Sequence, residues 1–72
     1  EYEKTVKIYD YLINQSEMEF FGLMKEIGSI YENKLKRLDL AIKYYQKYLQ
    51  YQHDDQLDQK IQSLSKIKII SE

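Results

Sequence analysis

The sequence contains no cysteine, proline or tryptophan, only two glycines, and a single histidine among its 72 residues. Without cysteine there is no disulfide, and one imidazole cannot build a structural zinc site. Both usual reinforcements of a small domain are therefore excluded. With proline absent and glycine scarce, nothing interrupts long helices and little marks tight β-turns. No apolar run approaches the ~18 residues of a membrane span, and no signal-peptide pattern opens the chain. Neither sign of charge is in excess: eleven basic residues face twelve acidic ones, for a net charge of −1. That balance argues against a polyanion binder and against an acidic tail.

What is present is helical periodicity in a chain long enough for one domain. Such a chain buries only roughly 60 % of its unfolded surface, so its core must be used well. Tyr2, Val6, Tyr9, Leu12 and Ile13 recur at helical steps and predict a first helix over about 2–14. Ser16 followed by Glu19 has capping-box spacing and predicts a second helix over 17–33. This helix carries two apolar stripes, Phe20, Leu23, Ile27, Ile30 and Phe21, Met24, Gly28, Tyr31, as expected of a helix packed on two sides. A third helix is expected over 38–52 with Asp39 as a cap, and a fourth over 55–70 capped by Asp54 or Asp55. Leu57, Ile61, Leu64 and Lys68 share a face of the fourth, a narrower stripe that suits the last helix of a stack. No segment alternates long enough to be a strand. The expected fold is all-α, one domain over 1–72.

Two helix types recur. Residues 23–30, Leu-Met-Lys-Glu-Ile-Gly-Ser-Ile, align on 57–64, Leu-Asp-Gln-Lys-Ile-Gln-Ser-Leu, at an offset of 34, and 41–45 align on 5–9 at an offset of 36. In the central pair Met24, Ile27, Gly28 and Tyr31 are followed by Ala41 and Tyr45. With this period and this order of small and large residues, the chain resembles the tetratricopeptide repeat (TPR) family. The resemblance implies antiparallel helix–turn–helix pairs in an α-solenoid fragment. Residues 1–14 would be the trailing second helix of one repeat, 20–54 a complete repeat and 55–70 a closing helix. The chain opens on Glu with helical pattern starting at once, as an excised piece would, and its last helix reads as a closing one, so it is expected to be the C-terminal end of a longer array. Three departures stand out. Tyr31 to Ala41 is one residue longer than the family spacing, which places an insertion around Leu35-Lys36-Arg37; Tyr48 replaces a small residue; His53 replaces the proline that usually follows. Independently of the family, Gly28 and Ala41 lack bulk where two helices would cross, with Tyr31 and Tyr45 around the crossing.

Catalytic chemistry finds no footing. His53 is a lone imidazole between Gln52 and Asp54, no serine stands in a Gly-x-Ser-x-Gly elbow, and Gly22 and Gly28 are isolated within a helix. Asp54, Asp55 and Asp58 lack the glycine and distal glutamate of a calcium loop. No cofactor and no metal are expected. Residues 1–32 hold seven acids and three bases, residues 33–72 five and eight. Such a dipole is too diffuse for the basic stripe of a nucleic-acid binder.

The expectation is therefore a non-enzymatic module that binds a protein or peptide on a curved helical surface, without nucleic acid or membrane insertion. The resemblance places partner contacts on the concave side, at Lys25, Ser29, Glu32 and Asn33 with Gly22 nearby, and at their counterparts Gln59, Ser63 and Lys66. A clamp for a terminal carboxylate is disfavoured, since it requires Lys and Asn four residues apart and here Lys25 is followed by Ser29. Tyr44, Tyr48 and Tyr51, about one turn apart, form a candidate aromatic interface. Self-association through that edge or through Ile69 and Ile70, regulation of an attached domain in a sensor or peptide receptor, and a purely structural scaffold are the alternatives. Localisation stays open, with the cytoplasm as the default.

Overall fold

A computed structural model describes the backbone of residues 1–71 and the side chains of residues 1–67. It contains five α-helices and, among the described residues, no strand: α1 Tyr2–Gln15, α2 Glu17–Phe20, α3 Gly22–Asn33, α4 Leu38–Leu49 and α5 Asp55–Ser71. The all-α expectation holds, but the helix expected over 17–33 is divided. At Phe21 the backbone stays right-handed (φ −59°, ψ −26°) while the Met24 amide donates to the Phe21 carbonyl at 2.9 Å, a tightened three-residue turn. Gly22 follows directly, exposed and with nothing within 4 Å of where its Cβ would lie, so the helix is intrinsically weakest there. Both phenylalanines before it are half-buried, and Phe21 stacks on Tyr51 at 5.3 Å.

Three local expectations need correction. Ser16 occupies the N-cap of α2 in extended backbone, but its hydroxyl makes no capping bond and the box with Glu19 does not form. Asp39 does not cap α4; Arg37 holds that position and its guanidinium grips Asp39 at 3.2 and 3.3 Å. The third helix ends at Leu49 instead of 52, because Gln50 and Tyr51 bond back only three residues, to Lys47 and Tyr48. By contrast Asp54 does cap α5, its Oδ1 accepting from the Leu57 amide at 3.0 Å. At the expected insertion the chain makes its one left-handed non-glycine residue among those described, Lys36 (φ 56°), and the Arg37 amide returns to the Tyr31 carbonyl at 2.8 Å.

Each long helix packs on the next in the chain: α1 on α3, α3 on α4, α4 on α5. Two pairs of bonds give the directions. Tyr44 reaches Asp10 and Tyr51 reaches Glu17, so α1 and α4 run parallel; Lys25 reaches Asp54 and Lys60 reaches Glu32, so α3 and α5 do too. Among the described residues α1 and α5 do not touch and the bundle is not closed; the Cα trace is a slab of 36 × 29 × 15 Å.

The core has two parts. Val6, Ile13, Met24 and Ile27 join α1 to α3, while Ala41, Tyr45, Leu57, Ile61 and Leu64 join α4 to α5. Tyr31 and Tyr48 pack against both parts and so tie them together. The small-residue crossing differs from the expectation in its partners. Gly28 makes room for the ring of Tyr45 and not for a helix backbone: a Cβ there would lie 2.5 Å from Tyr45 Cε1 and 2.6 Å from Cδ1. Ala41, fully buried, belongs to the second part of the core, beside the residues of α5.

Candidate interaction groove

The parallel helices α3 and α5 are held apart by α4 and linked by side chains alone. Near their N-termini the Lys25 ammonium meets Asp54 Oδ2 at 2.9 Å and lies 5.5 Å from the centre of the Tyr48 ring. Further along, the Lys60 ammonium meets Glu32 Oε1 at 3.2 Å and lies 5.9 Å from the centre of the Tyr45 ring. The two devices share a plan, a cation over a tyrosine and beside a carboxylate, with the charges exchanged between the helices. Tyr45 is 1 % exposed, and its phenol donates to the same Glu32 Oε1 at 2.7 Å. A buried hydroxyl thus has its partner. Among the described residues no buried side-chain polar atom lacks one.

The electrostatics follow from these contacts. The bond to Asp54 raises the pKa of Lys25, and the same bond, helped by the Leu57 amide, lowers that of Asp54. Burial, then the bond to Glu32, raises that of the Tyr45 phenol. On the opposite face burial and the neighbouring Asp10 push Tyr44 up to about 12.

Two adjoining clefts of about 140 and 300 Å³ flank the Lys25–Asp54 bridge. The smaller is floored by Leu57 and edged by Gln56 and Lys60; the larger runs past Gly22, Glu26, Ser29 and Tyr48. Together they form a shallow groove, its smaller part between α3 and α5 and its larger part along α3 with Tyr48 of α4 as a wall. Gly22 widens it, since no side chain projects there.

The structure distributes the sequence-derived candidates unevenly. Lys25 and Ser29 line the groove. Glu32 and Asn33 line neither cleft: Glu32 is engaged by Tyr45 and Lys60, and Asn33 is exposed, its amide nitrogen donating to Ser29 Oγ at 3.3 Å. Gln59, Ser63 and Lys66 are exposed on α5 but line neither cleft. Gln56, Leu57, Lys60, Asp54 and Tyr48 do line them. No sequence pattern marked the first four as site residues; only the capping role of Asp54 pointed toward the start of α5. Of the candidate aromatic edge, Tyr44 stacks on Tyr31 at 5.9 Å and donates to Asp10 at 3.2 Å. Tyr51 stacks on Phe21 and donates to Glu17 at 2.6 Å, and Tyr48 lies 5.8 Å from Phe21. All three are half-buried and occupied within the chain. The alternative contact at Ile69 and Ile70 lies outside the described side chains, as does Lys68.

The residues of the other candidate chemistries have these settings. His53 is 85 % exposed and sits 2.8 Å from Asp55 at the joint before α5. Among the described residues no three His, Cys, Asp or Glu side chains converge as metal ligands would. No described helix is long and apolar enough to cross a membrane.

Comparison of the chain with protein-family models, with curated proteins and with solved structures returns no match.

Proposed function

We propose that this protein is a non-enzymatic interaction module, built from TPR-like helical hairpins, that binds an extended segment of a partner protein or peptide along the groove between α3 and α5. Four features support the repeat reading: the bundle is open, α1 parallels α4, α3 parallels α5, and an aromatic ring lies on the glycine of the central pair. Tyr44–Asp10 and, just past the ends of α4 and α1, Tyr51–Glu17 each join residues 34 apart, close to the offset of 36 at which the α1 and α4 segments align in the sequence. Residues 20–54 then form the complete repeat and α5 the helix after it.

The observation that carries the binding reading is the gap itself. Between the two parallel helices, and continuing along α3 beside α4, runs a trough whose walls offer donors and acceptors at Lys25, Ser29, Gln56 and Lys60, with apolar surface at Tyr48 and Leu57. Extended peptides need this mixture, because their backbone amides and carbonyls must be satisfied along with their side chains. The Lys25 side chain is 47 % exposed, so it can turn from Asp54 to a partner carboxylate at little cost.

The test uses Gly22→Arg, which fills the groove from an open position without entering the core. Peptides selected from a displayed random library on the wild-type protein should lose at least about tenfold in affinity for this variant, roughly 1.4 kcal/mol, with helicity by circular dichroism unchanged. Equal affinity for the two proteins would refute the groove as the binding surface.

A further inference from the structure

A third cleft, of about 370 Å³, opens where the start of α1 meets the turn between α3 and α4. Val6, Tyr31, Leu35 and Leu40 give it apolar walls, and Lys7 and Arg37 stand at its edge with Glu3. Lys34 and Lys36 belong to the same turn, so four cations gather against Glu3 and Asp39 in a chain whose net charge is −1. Arg37 is held by Asp39 and Lys34 lies over the Tyr2 ring at 5.5 Å. Lys7 and Lys36 have no carboxylate partner among the described residues. Lys36 also sits in left-handed backbone, where glycine would be easier.

The complement of this cleft lies at the other end of the same molecule. Met18 is 76 % exposed, the highest value among the large apolar residues described, and it stands between Glu17 and Glu19 at the tip where α1 turns into α3. The tip is held in place, because Glu17 accepts from the Tyr51 phenol at 2.6 Å. Glu19 is exposed with no cationic partner among the described residues. A molecule cannot fill its own cleft: from Lys7 at the cleft to Met18 at the tip is roughly 17 Å along α1 and its joint to α2.

We propose that the cleft receives the Met18 tip of a second copy of this chain, so that molecules associate head to tail. The unbranched thioether adapts to an irregular apolar pocket, and a pocket of this volume accommodates it readily. Glu19 comes to the cleft edge, where Lys7 has no carboxylate partner among the described residues. The contact is heterologous, so each copy keeps one open tip and one open cleft and the assembly can extend. It is also small, below the standard size of a stable interface, and therefore weak and salt-sensitive. This inference is independent of the α3/α5 groove, which stays open in the assembly.

Sedimentation equilibrium on the whole chain tests it. The weight-average mass of the wild type should rise from that of a monomer at about 20 μM toward larger species at about 1 mM, the range of weak contacts. Met18→Ser, an exposed position, should remain monomeric throughout, and Lys7→Glu should weaken association at least about tenfold, a change of roughly 1.4 kcal/mol. Circular dichroism checks that both variants keep wild-type helicity. Mixing the two variants is the decisive arm: the Met18→Ser copy has an intact cleft and the Lys7→Glu copy an intact tip, so together they should form a one-to-one dimer that grows no further. A wild type that stays monomeric to about 1 mM would overturn the proposal. So would association that survives Met18→Ser, which would place the contact elsewhere, for instance on the exposed Ile8 and Tyr11 of α1.

Discussion

The two glycines of this protein make a controlled pair, because both lie in α3 and only one is crowded. Changing either to alanine favours the helix by about 1 kcal/mol through propensity and reduced unfolded-state freedom. At Gly22 nothing opposes that gain, since no atom lies within 4 Å of the new methyl group. At Gly28 the methyl would stand 2.5 and 2.6 Å from two carbons of Tyr45, about 1 Å inside the usual separation of nonbonded carbons. The ring cannot swing away cheaply. It is 1 % exposed, packed in the core with Ala41, Leu57, Ile61 and Leu64, and tethered by its phenol to Glu32, which in turn holds Lys60. Overpacking of this kind costs about 1–3 kcal/mol. Gly22→Ala should therefore stabilise by about 1 kcal/mol, and Gly28→Ala should be destabilising by up to about 2 kcal/mol. Their difference is a lower bound on the steric cost, since the propensity gain at Gly22, the first residue of α3, is no larger than at Gly28 in its interior. Urea unfolding followed at 222 nm measures both. In a domain this small each kcal/mol also moves Tm by about 4–8 °C, which gives an independent reading. If Gly28→Ala stabilises as much as Gly22→Ala, the ring does not rest on that glycine and the docking of α3 on α4 is different from the one described. The larger Gly28→Leu should fall further than Gly28→Ala; an unchanged Tm would refute the same docking.

Three further outcomes follow from particular contacts. Lys36→Gly should raise stability by up to about 1 kcal/mol in the same urea assay, because glycine adopts φ 56° without a Cβ clash; a loss of stability would show that the left-handed turn is not strained. Tyr45→Phe removes the phenol that donates to Glu32 and should cost about 1–2 kcal/mol, somewhat below a fully buried charge-assisted bond because Glu32 keeps Lys60; a neutral effect would mean the phenol is solvated. Tyr44 holds its proton to about 12 in the folded chain and to about 10 when unfolded, so the unfolded state ionises first. Its contribution is complete below pH 10 and should be lost as pH rises toward 12, with Tyr44→Phe showing a shallower decline in a denaturation series; identical slopes would remove Asp10 and burial as the cause.

The helices were legible along the chain because each is written in local terms. Apolar residues at three- and four-residue steps, a capping aspartate before Leu57 and the absence of proline need no knowledge of the other helices. Gly28 and Ala41 were equally visible as places without bulk, but not what each would meet. Periodicity tells which way a side chain points around its own axis; it does not say how far the neighbouring helix is rotated or shifted. So the ring over Gly28 is that of Tyr45, whereas Ala41 is buried in the part of the core that α4 shares with α5. The same limit applies at the candidate site. Lys25 and Glu32 could be recognised as lying off the apolar stripes, yet their pairing with Asp54 and Lys60 joins residues 29 and 28 positions apart.

The chain by itself therefore determined the helical class and the near-34-residue spacing of its similar segments. The docking of α3, α4 and α5 decided the rest. It left the bundle open, turned Tyr44, Tyr48 and Tyr51 inward, and set the groove on Gln56, Leu57 and Lys60 as much as on Lys25 and Ser29. The physical reason is one of range. Backbone preference and capping act over a few consecutive residues, whereas side-chain packing and ion pairing depend on distances of a few ångströms between segments far apart in sequence.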